Sequence, residues 1–135
     1  MAYFQDSAKL QDILQNFFKL LSEDPNIGPK LKSSNLIVKF NYTDPDLSLT
    51  IDCTQTPIQV LANDTTLKPE VEMTMKADTA HKFWFGKVNL VIALTRREIT
   101  AKGSIPKVLK LLPVIKPAYA LYPKFIQEKD ASLML

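Results

Sequence analysis

The sequence predicts an α+β fold in which a five-stranded, mixed but mostly antiparallel sheet carries its helices on one face. Three observations predict it: an amphipathic helix near the start, a series of short segments with alternating hydrophobicity, and an apolar tail interrupted by prolines. Clean alternation along a strand indicates one covered and one solvated face, which is typical of antiparallel sheets. The helices are then expected to pack together on the covered face.

Length and composition predict one domain over residues 1–135. The chain has 135 residues, of which 46% are hydrophobic and 23% are charged. Its apolar runs are far shorter than the roughly 20 residues that a membrane-spanning helix needs. The first ten residues, MAYFQDSAKL, do not have the pattern of a signal peptide. We therefore expect a cytoplasmic location.

The first predicted helix has an apolar stripe with helical spacing. Asp6 or Ser7 can cap its start, and Pro25 lies beyond its end. Core packing is the favoured role of this stripe, although a partner or a membrane could also bind it. A connector with one helical turn follows, over residues 24–34. The stripe consists of Leu10, Ile13, Leu14, Phe17, Phe18 and Leu21.

Four strands are predicted next, each with inward residues at every second position. The first two are joined by a turn around Pro45, and the third is followed by the turn-like Asn63. The single cysteine, Cys53, excludes an internal disulfide and is expected to be a small buried residue. The inward positions are Leu36, Val38, Phe40 and Tyr42, then Leu47, Leu49, Ile51 and Cys53, then Ile58, Val60 and Ala62, and lastly Val71, Met73 and Met75.

An aromatic helix follows from Asp78 to Phe85, and Gly86 suits its C-terminal left-handed position. Its last three residues are Phe83, Trp84 and Phe85. Successive residues on a helix point about 100° apart, so three adjacent rings cannot all face one ordinary core. Either this helix is surrounded on most sides, or one ring faces a cavity, a ligand or a membrane.

A second short helix is predicted over residues 88–95, and the fifth strand over residues 98–102. Because two helices separate this strand from the fourth, a crossover connection is expected to make the sheet mixed. The tail that follows is rich in apolar residues, but Pro106, Pro113, Pro117 and Pro123 interrupt it. It is predicted to form two or three short helices that cover the apolar sheet face, with residues 130–135 frayed.

Catalytic and metal-binding motifs are missing from the sequence. The single histidine, His81, is predicted to be exposed near the start of a helix, and one His with one Cys cannot supply a zinc site. The three glycines lie in unrelated segments, which excludes phosphate-binding and dinucleotide-binding loops. The lysines of the C-terminal half are spread among apolar residues, and the net charge is only +3. We therefore expect no catalysis, no cofactor, no metal and no nucleic-acid partner.

The chain has more apolar surface than these elements obviously need. The first helix, the aromatic helix, one sheet face and the tail must all converge, and Met73 and Met75 would add an adaptable lining. A simple packed core and an internal lipid site both remain open on this evidence.

A resemblance favours the lipid site. From about Phe40 to Pro123 the sequence resembles the sterol carrier protein type 2 domain, a nonspecific lipid-transfer family. The matching motifs are residues 70–75 (EVEMTM), residues 78–83, Gly86-Lys87, and residues 98–103 (EITAKG) followed by an apolar helix. The resemblance implies a hydrophobic tunnel that binds fatty acids, acyl-CoA, sterols or phospholipids.

The resemblance and the strand pattern together lead to a set of candidate lining residues. The predicted function is non-catalytic binding, and possible transfer, of a lipid, with transient membrane contact and an undetermined oligomeric state. The alternative is an accessory domain whose apolar C-terminal helices dock a protein or a membrane. The residues predicted to line the tunnel are Met73, Met75, Phe83, Trp84, Val91, Ile99, Leu109, Leu112, Tyr119, Leu121 and Phe125.

Overall fold

The computed structural model describes residues 2–135. Seven α-helices and five strands follow one another in this range, and a short 3-10 turn, Ala131–Leu133, comes last. No helix among them is long and apolar enough to cross a bilayer. The elements are α1 (Ser7–Glu23), α2 (Ile27–Ser34), β1 (Ile37–Thr43), β2 (Leu47–Asp52), β3 (Gln59–Ala62), β4 (Val71–Lys76), α3 (Ala77–Trp84), α4 (Leu90–Thr95), β5 (Ile99–Gly103), α5 (Ile105–Leu109), α6 (Leu112–Ile115) and α7 (Ala118–Lys129).

The strands form one mixed sheet in the order β3-β2-β1-β4-β5. The predicted α+β architecture and the mixed sheet are confirmed, but the parallel pair is a different one. β5 runs antiparallel to β4, with Ile99 opposite Met75. The parallel neighbours are β1 and β4, with Phe40 opposite Met73. The two helices between β4 and β5 therefore make a long hairpin connection rather than a crossover.

Residues 63–70 make the crossover that the parallel pair requires. They lead from β3, at one edge of the sheet, to β4 on the far side of β1, and so pass over β2 and β1. The backbone N–H of Asn63 bonds to the Ser48 oxygen, while the N–H of Glu70 bonds to the Ile37 oxygen at the opposite end of the sheet. We call this segment the strap. On β2, Thr50 points to the outer face, opposite Leu49 and Ile51, and is only 1% exposed.

The helices occupy the other face of the sheet, as predicted. The apolar stripe of α1 is buried in the core along its whole length. The carboxylate of Asp6 caps α1 by accepting the Lys9 N–H at 2.8 Å. The connector after α1 contains the eight-residue helix α2 rather than a single turn. It approaches α1 so closely that a Cβ at Gly28 would overlap the backbone oxygen of Ser22, which explains the glycine.

The C-terminal tail consists of three short helices, as predicted. Pro106 and Pro113 occupy the first turns of α5 and α6, where a missing N–H costs nothing. Pro123 lies inside α7 instead of ending it. The expected fraying of residues 130–135 is wrong, because Leu133 is buried and the Asp130 carboxylate lies 2.8 Å from the Lys9 ammonium.

Candidate ligand-binding cavity

An apolar cavity of about 100 Å³ lies between the sheet and the helices. Its floor is the inner face of four strands, and its walls come from the helices α1 to α6. The residues that line it are Phe18, Leu21, Ser22, Leu31, Val38, Phe40, Ile51, Cys53, Met73, Met75, Phe83, Trp84, Leu90, Ile99, Val108, Leu111, Leu112 and Ile115.

The cavity is elongated because its floor runs diagonally across the sheet. It begins at Ile51 on β2, continues over β1 and over Met73 on β4, and ends at Ile99 on β5. Four neighbouring strands span about 14 Å at the usual strand spacing. The lining residues therefore follow a diagonal path across the sheet.

The two ends of the cavity differ in exposure. At the β5 end, Met75, Leu90 and Ile99 are buried. At the β2 end, the lining residues Leu31 of α2 and Ile115 of α6 are only partly buried. The β2 end, between α2 and α6, is therefore the less buried end of the lining, and the proline-interrupted tail forms one side of it.

The lining is almost entirely apolar. Within residues 2–135, no charged side chain lines the cavity, and its polar side chains are Ser22 and Cys53. Burial raises the pKa of the Cys53 thiol, and the nearby Ser34 hydroxyl only partly opposes this shift. The thiol is therefore neutral and contributes to the lining as a small apolar group. The chemistry available is apolar contact, without a group that could bind or transform a charged substrate.

Six of the predicted tunnel residues line this cavity. They come from two strands, the aromatic helix and α6, and they lie close together because β4 and β5 are paired beneath α3. That these residues bind a lipid stays a prediction. The six are Met73, Met75, Phe83, Trp84, Ile99 and Leu112.

The other five predicted residues lie elsewhere. Val91 is exposed because α4 turns Leu90 and Ala93 inward, and Leu109 is exposed because α5 turns Val108 inward. The remaining three are on α7, behind the cavity wall. Tyr119 and Leu121 are half-buried, and the Phe125 ring packs 5.5 Å from Phe17.

The prediction also missed lining residues from the first half of the chain. Val38, Phe40 and Ile51 were identified as inward strand positions, so their alternation could have placed them in the lining. Phe18 and Leu21 belong to the predicted apolar stripe of α1, but periodicity cannot distinguish a core contact from a cavity wall.

The three adjacent rings of the aromatic helix divide between the cavity and the core. Phe83 and Trp84 both line the cavity, and their rings meet edge to face at 5.1 Å. Phe85 lies outside it, 5.2 Å from Tyr122 and 5.0 Å from His81. Tyr119 supports the wall from behind, with its ring 5.6 Å from Phe83.

His81 is fully buried, which corrects the prediction of an exposed residue. Its Nε2 lies 2.7 Å from the Leu133 carbonyl oxygen, and its Nδ1 lies 2.8 Å from the Tyr122 hydroxyl. A carbonyl only accepts, so Nε2 carries the proton and Nδ1 accepts the Tyr122 hydroxyl proton. Burial lowers the pKa of His81, although the Leu133 carbonyl and the Asp78 carboxylate oppose the shift. His81 is thus a neutral structural residue and does not line the cavity.

Over residues 2–135, acidic, cysteine and histidine side chains do not gather into a metal site. No group of three or more such residues with suitable placement occurs in the described range 2–135.

A family model described as the SCP-2 sterol transfer family matches residues 15–116. Sterol carrier protein 2 from Yarrowia lipolytica, in its apo form, is 18% identical, with a TM-score of 0.64 over 88% of this chain and 95% of that one. The sterol carrier protein domain 2 of Helicoverpa armigera is 19% identical, with a TM-score of 0.65 over 80% and 88%.

A third solved structure is described as that of a palmitated protein. Palmitated SCP2L2 from Aedes aegypti is 19% identical, with a TM-score of 0.57 over 78% of this chain and 92% of that chain. At these identities the structural likenesses show a shared fold. No curated protein sequence matches the chain.

Proposed function

This chain belongs to the SCP-2 sterol transfer family, and from that premise we propose that it carries a lipid whose acyl chain occupies the apolar cavity. We place the lipid's polar head at the less buried end of the cavity, between α2 and α6, in contact with water. No reaction is catalysed. A cytoplasmic location agrees with this role and stays part of the proposal.

The observation that carries the proposal is the absence of charge from the lining within residues 2–135. Each methylene that moves from water into such a space contributes roughly 0.8 kcal/mol. A chain of about 16 carbons can therefore bind near micromolar affinity after the costs of association, without specific polar contacts. Binding of this kind depends on chain length more than on the head group.

The shape of the cavity favours a flexible chain over a rigid ring system. A channel that crosses four strands diagonally suits an extended chain, which can bend around Met73 and Met75. The Aedes aegypti protein, which shares this fold, is described as palmitated.

Uptake of a whole acyl chain requires the cavity to widen. Its volume of about 100 Å³ is smaller than the roughly 300–1,000 Å³ of typical small-molecule sites. The wall that can yield is the proline-interrupted tail. Leu111, Leu112 and Ile115 are only partly buried, and α5 and α6 have no side-chain cap. We propose that these two short helices move outward when the ligand enters.

Fluorescence quenching tests the proposal, because Trp84 is the only tryptophan and lines the cavity. Delipidated protein is titrated with a fatty acid brominated in the middle of its chain, since bromine quenches tryptophan by contact. We expect saturable quenching that unbrominated palmitate reverses. Lipid extraction and mass spectrometry of the purified protein should also find lipid at near one molecule per chain. Absence of both quenching and copurified lipid would overturn the proposal.

A further inference from the structure

Positive charge is concentrated in one part of the chain. Residues 82–116 contain eight Lys and Arg side chains but one acidic residue, Glu98, although the whole chain has a net charge of only +3. Among residues 2–135, the ion pair made by this segment joins Lys107 to Glu70. The same segment supplies cavity-lining residues from α3 to α6. The segment that forms much of the cavity wall is therefore cationic.

The short helix α4 combines this charge with exposed apolar side chains. Val91 is 55% exposed and Ile92 is 50% exposed, the highest values among the exposed large hydrophobic residues. Arg96 follows Ile92 by four positions and continues its helical conformation, so the two side chains are neighbours on one face. Arg97 and Lys87 are also exposed at the two ends of α4. We call these five residues the α4 patch.

The exposure of Val91 and Ile92 has no explanation within the fold. α4 meets the core through Leu90 and Ala93, which are buried on the opposite side of the helix. The first helix provides a contrast, because its apolar stripe from Leu10 to Leu21 is already covered by the core. The unpartnered apolar face is thus on α4.

We propose that the α4 patch docks the protein onto an anionic phospholipid bilayer. A bilayer surface offers negative head groups directly above apolar chains, and the patch has the complementary arrangement: Val91 and Ile92 between Lys87 and the Arg96–Arg97 pair. Basic residues near such a surface each contribute attraction within a Debye length, and apolar side chains insert at the head-group boundary.

Docking through α4 would place the cavity close to the membrane. Leu90, on the buried side of the same helix, lines the β5 end of the cavity with Met75 and Ile99. A single turn of helix thus separates the bilayer contact from the proposed lipid site. This inference deepens the proposed function, on which it rests for the nature of the cargo.

Vesicle flotation tests the docking without any cargo. Delipidated protein is mixed with vesicles of phosphatidylcholine containing phosphatidylserine, or with vesicles of phosphatidylcholine alone. We expect binding to the anionic vesicles that weakens as salt is added, because exposed charges are screened. The double variant Arg96→Gln/Arg97→Gln should lose about thirty-fold in vesicle affinity, as two basic residues leave the surface. Val91→Ser/Ile92→Ser should lose at least about ten-fold.

The matched control is Lys68→Gln/Lys76→Gln, which removes the same charge from exposed positions on the strap and at the end of β4. It should bind vesicles almost as wild type does. The proposal would be overturned if the α4 variants bound anionic vesicles as well as wild type does. It would also be overturned if wild type did not bind anionic vesicles, which is the result expected if the patch docks an acidic protein instead. Quenching of Trp84 by the brominated fatty acid should occur in wild type and in all variants, because none of them changes the cavity. If wild type itself shows no quenching, the proposed lipid site fails, and the docking surface is still tested by flotation.

Discussion

The imidazole of His81 lies 2.8 Å from the Tyr122 hydroxyl and so joins α3 to α7 inside the core. The second ring nitrogen bonds the Leu133 carbonyl at 2.7 Å, which ties the last residues of the chain to the same point. The rings of Phe4 and Phe85 meet the imidazole edge to face, each at about 5 Å. A neutral imidazole satisfies both bonds, whereas an imidazolium would have to be buried among apolar side chains.

Acid should destabilise the protein through His81. Its pKa in the folded state lies below the ordinary 6.5, so the unfolded chain binds more protons as the pH falls below 6.5. The stabilising contribution is complete above pH 6.5 and is lost as the pH falls toward the lowered pKa. Urea unfolding from about pH 7.5 to about pH 5.5 should show a decline of up to about 1.4 kcal/mol per pH unit from this group. In His81→Gln the decline should be smaller, and an equal slope in both proteins would contradict the assignment.

Tyr122→Phe should lower the free energy of unfolding by about 1–3 kcal/mol, because it leaves Nδ1 of His81 buried without a donor. Tyr119→Phe is the matched control on the same helix. The Tyr119 side chain is half-buried and makes no hydrogen bond in the described part of the chain, residues 2–135. Chemical denaturation of both variants measures the difference. Similar stabilities would show that the bond to His81 contributes nothing.

The C-terminal 3-10 turn should contribute measurably to stability. Leu133→Ala should cost about 2 kcal/mol, since the side chain is 6% exposed and packs in the core. Leu135→Ala, at an exposed position two residues later, should change stability by less than about 0.5 kcal/mol. Thermal unfolding of the two variants tests this. A frayed terminus would make them equal.

Filling the cavity should block the ligand. In Met73→Phe the ring should enter a space of about 100 Å³ at the centre of the floor and reduce fatty-acid affinity at least about ten-fold. Thr74→Phe adds the same ring to the neighbouring, exposed position on the opposite sheet face, and it should bind as wild type does. Trp84 quenching measures both affinities. Undiminished binding by Met73→Phe would place the ligand outside the cavity.

Thr50→Val should stabilise the protein by about 1 kcal/mol. The Thr50 hydroxyl is buried on the outer face of the sheet, and it has no hydrogen-bond partner within residues 2–135. Valine has the same shape and does not bury an unpaired hydroxyl. Thr100→Val, on the exposed part of β5, should have little effect. A melting temperature below that of wild type would reveal a partner for the Thr50 hydroxyl.

Local patterns predicted the elements of the fold well. Strict alternation at Met73 and Met75 identified the inner face of β4, and the spacing from Leu10 to Leu21 identified the buried face of α1. These signals depend on residues close together in the chain. The pairing of β1 with β4 depends instead on the strap between distant segments, and no local pattern specifies it.

The misplaced residues have long-range causes. His81 was expected at the surface because no residue near it in the sequence indicates a partner. Its partners, Tyr122 and Leu133, are 41 and 52 residues away. Leu121 and Phe125 were assigned to the cavity because the prolines hide the helical phase of the tail. In the structure, Pro123 stays within α7, whose buried face is formed by Ala118, Tyr122 and Ile126. A one-residue error in phase turns a helical side chain by about 100°.

The parallel pairing of β1 with β4 has a consequence for the nascent chain on the ribosome. Once residue 62 has emerged, β1, β2 and β3 can pair as consecutive antiparallel strands, but the other edge of β1 must wait for residues 71–76. During that interval, the central strand of the finished sheet exposes a row of unpaired backbone groups, as an edge strand does. Aggregation should therefore compete most strongly with folding when translation pauses after residue 62 has emerged and before residue 76 has emerged.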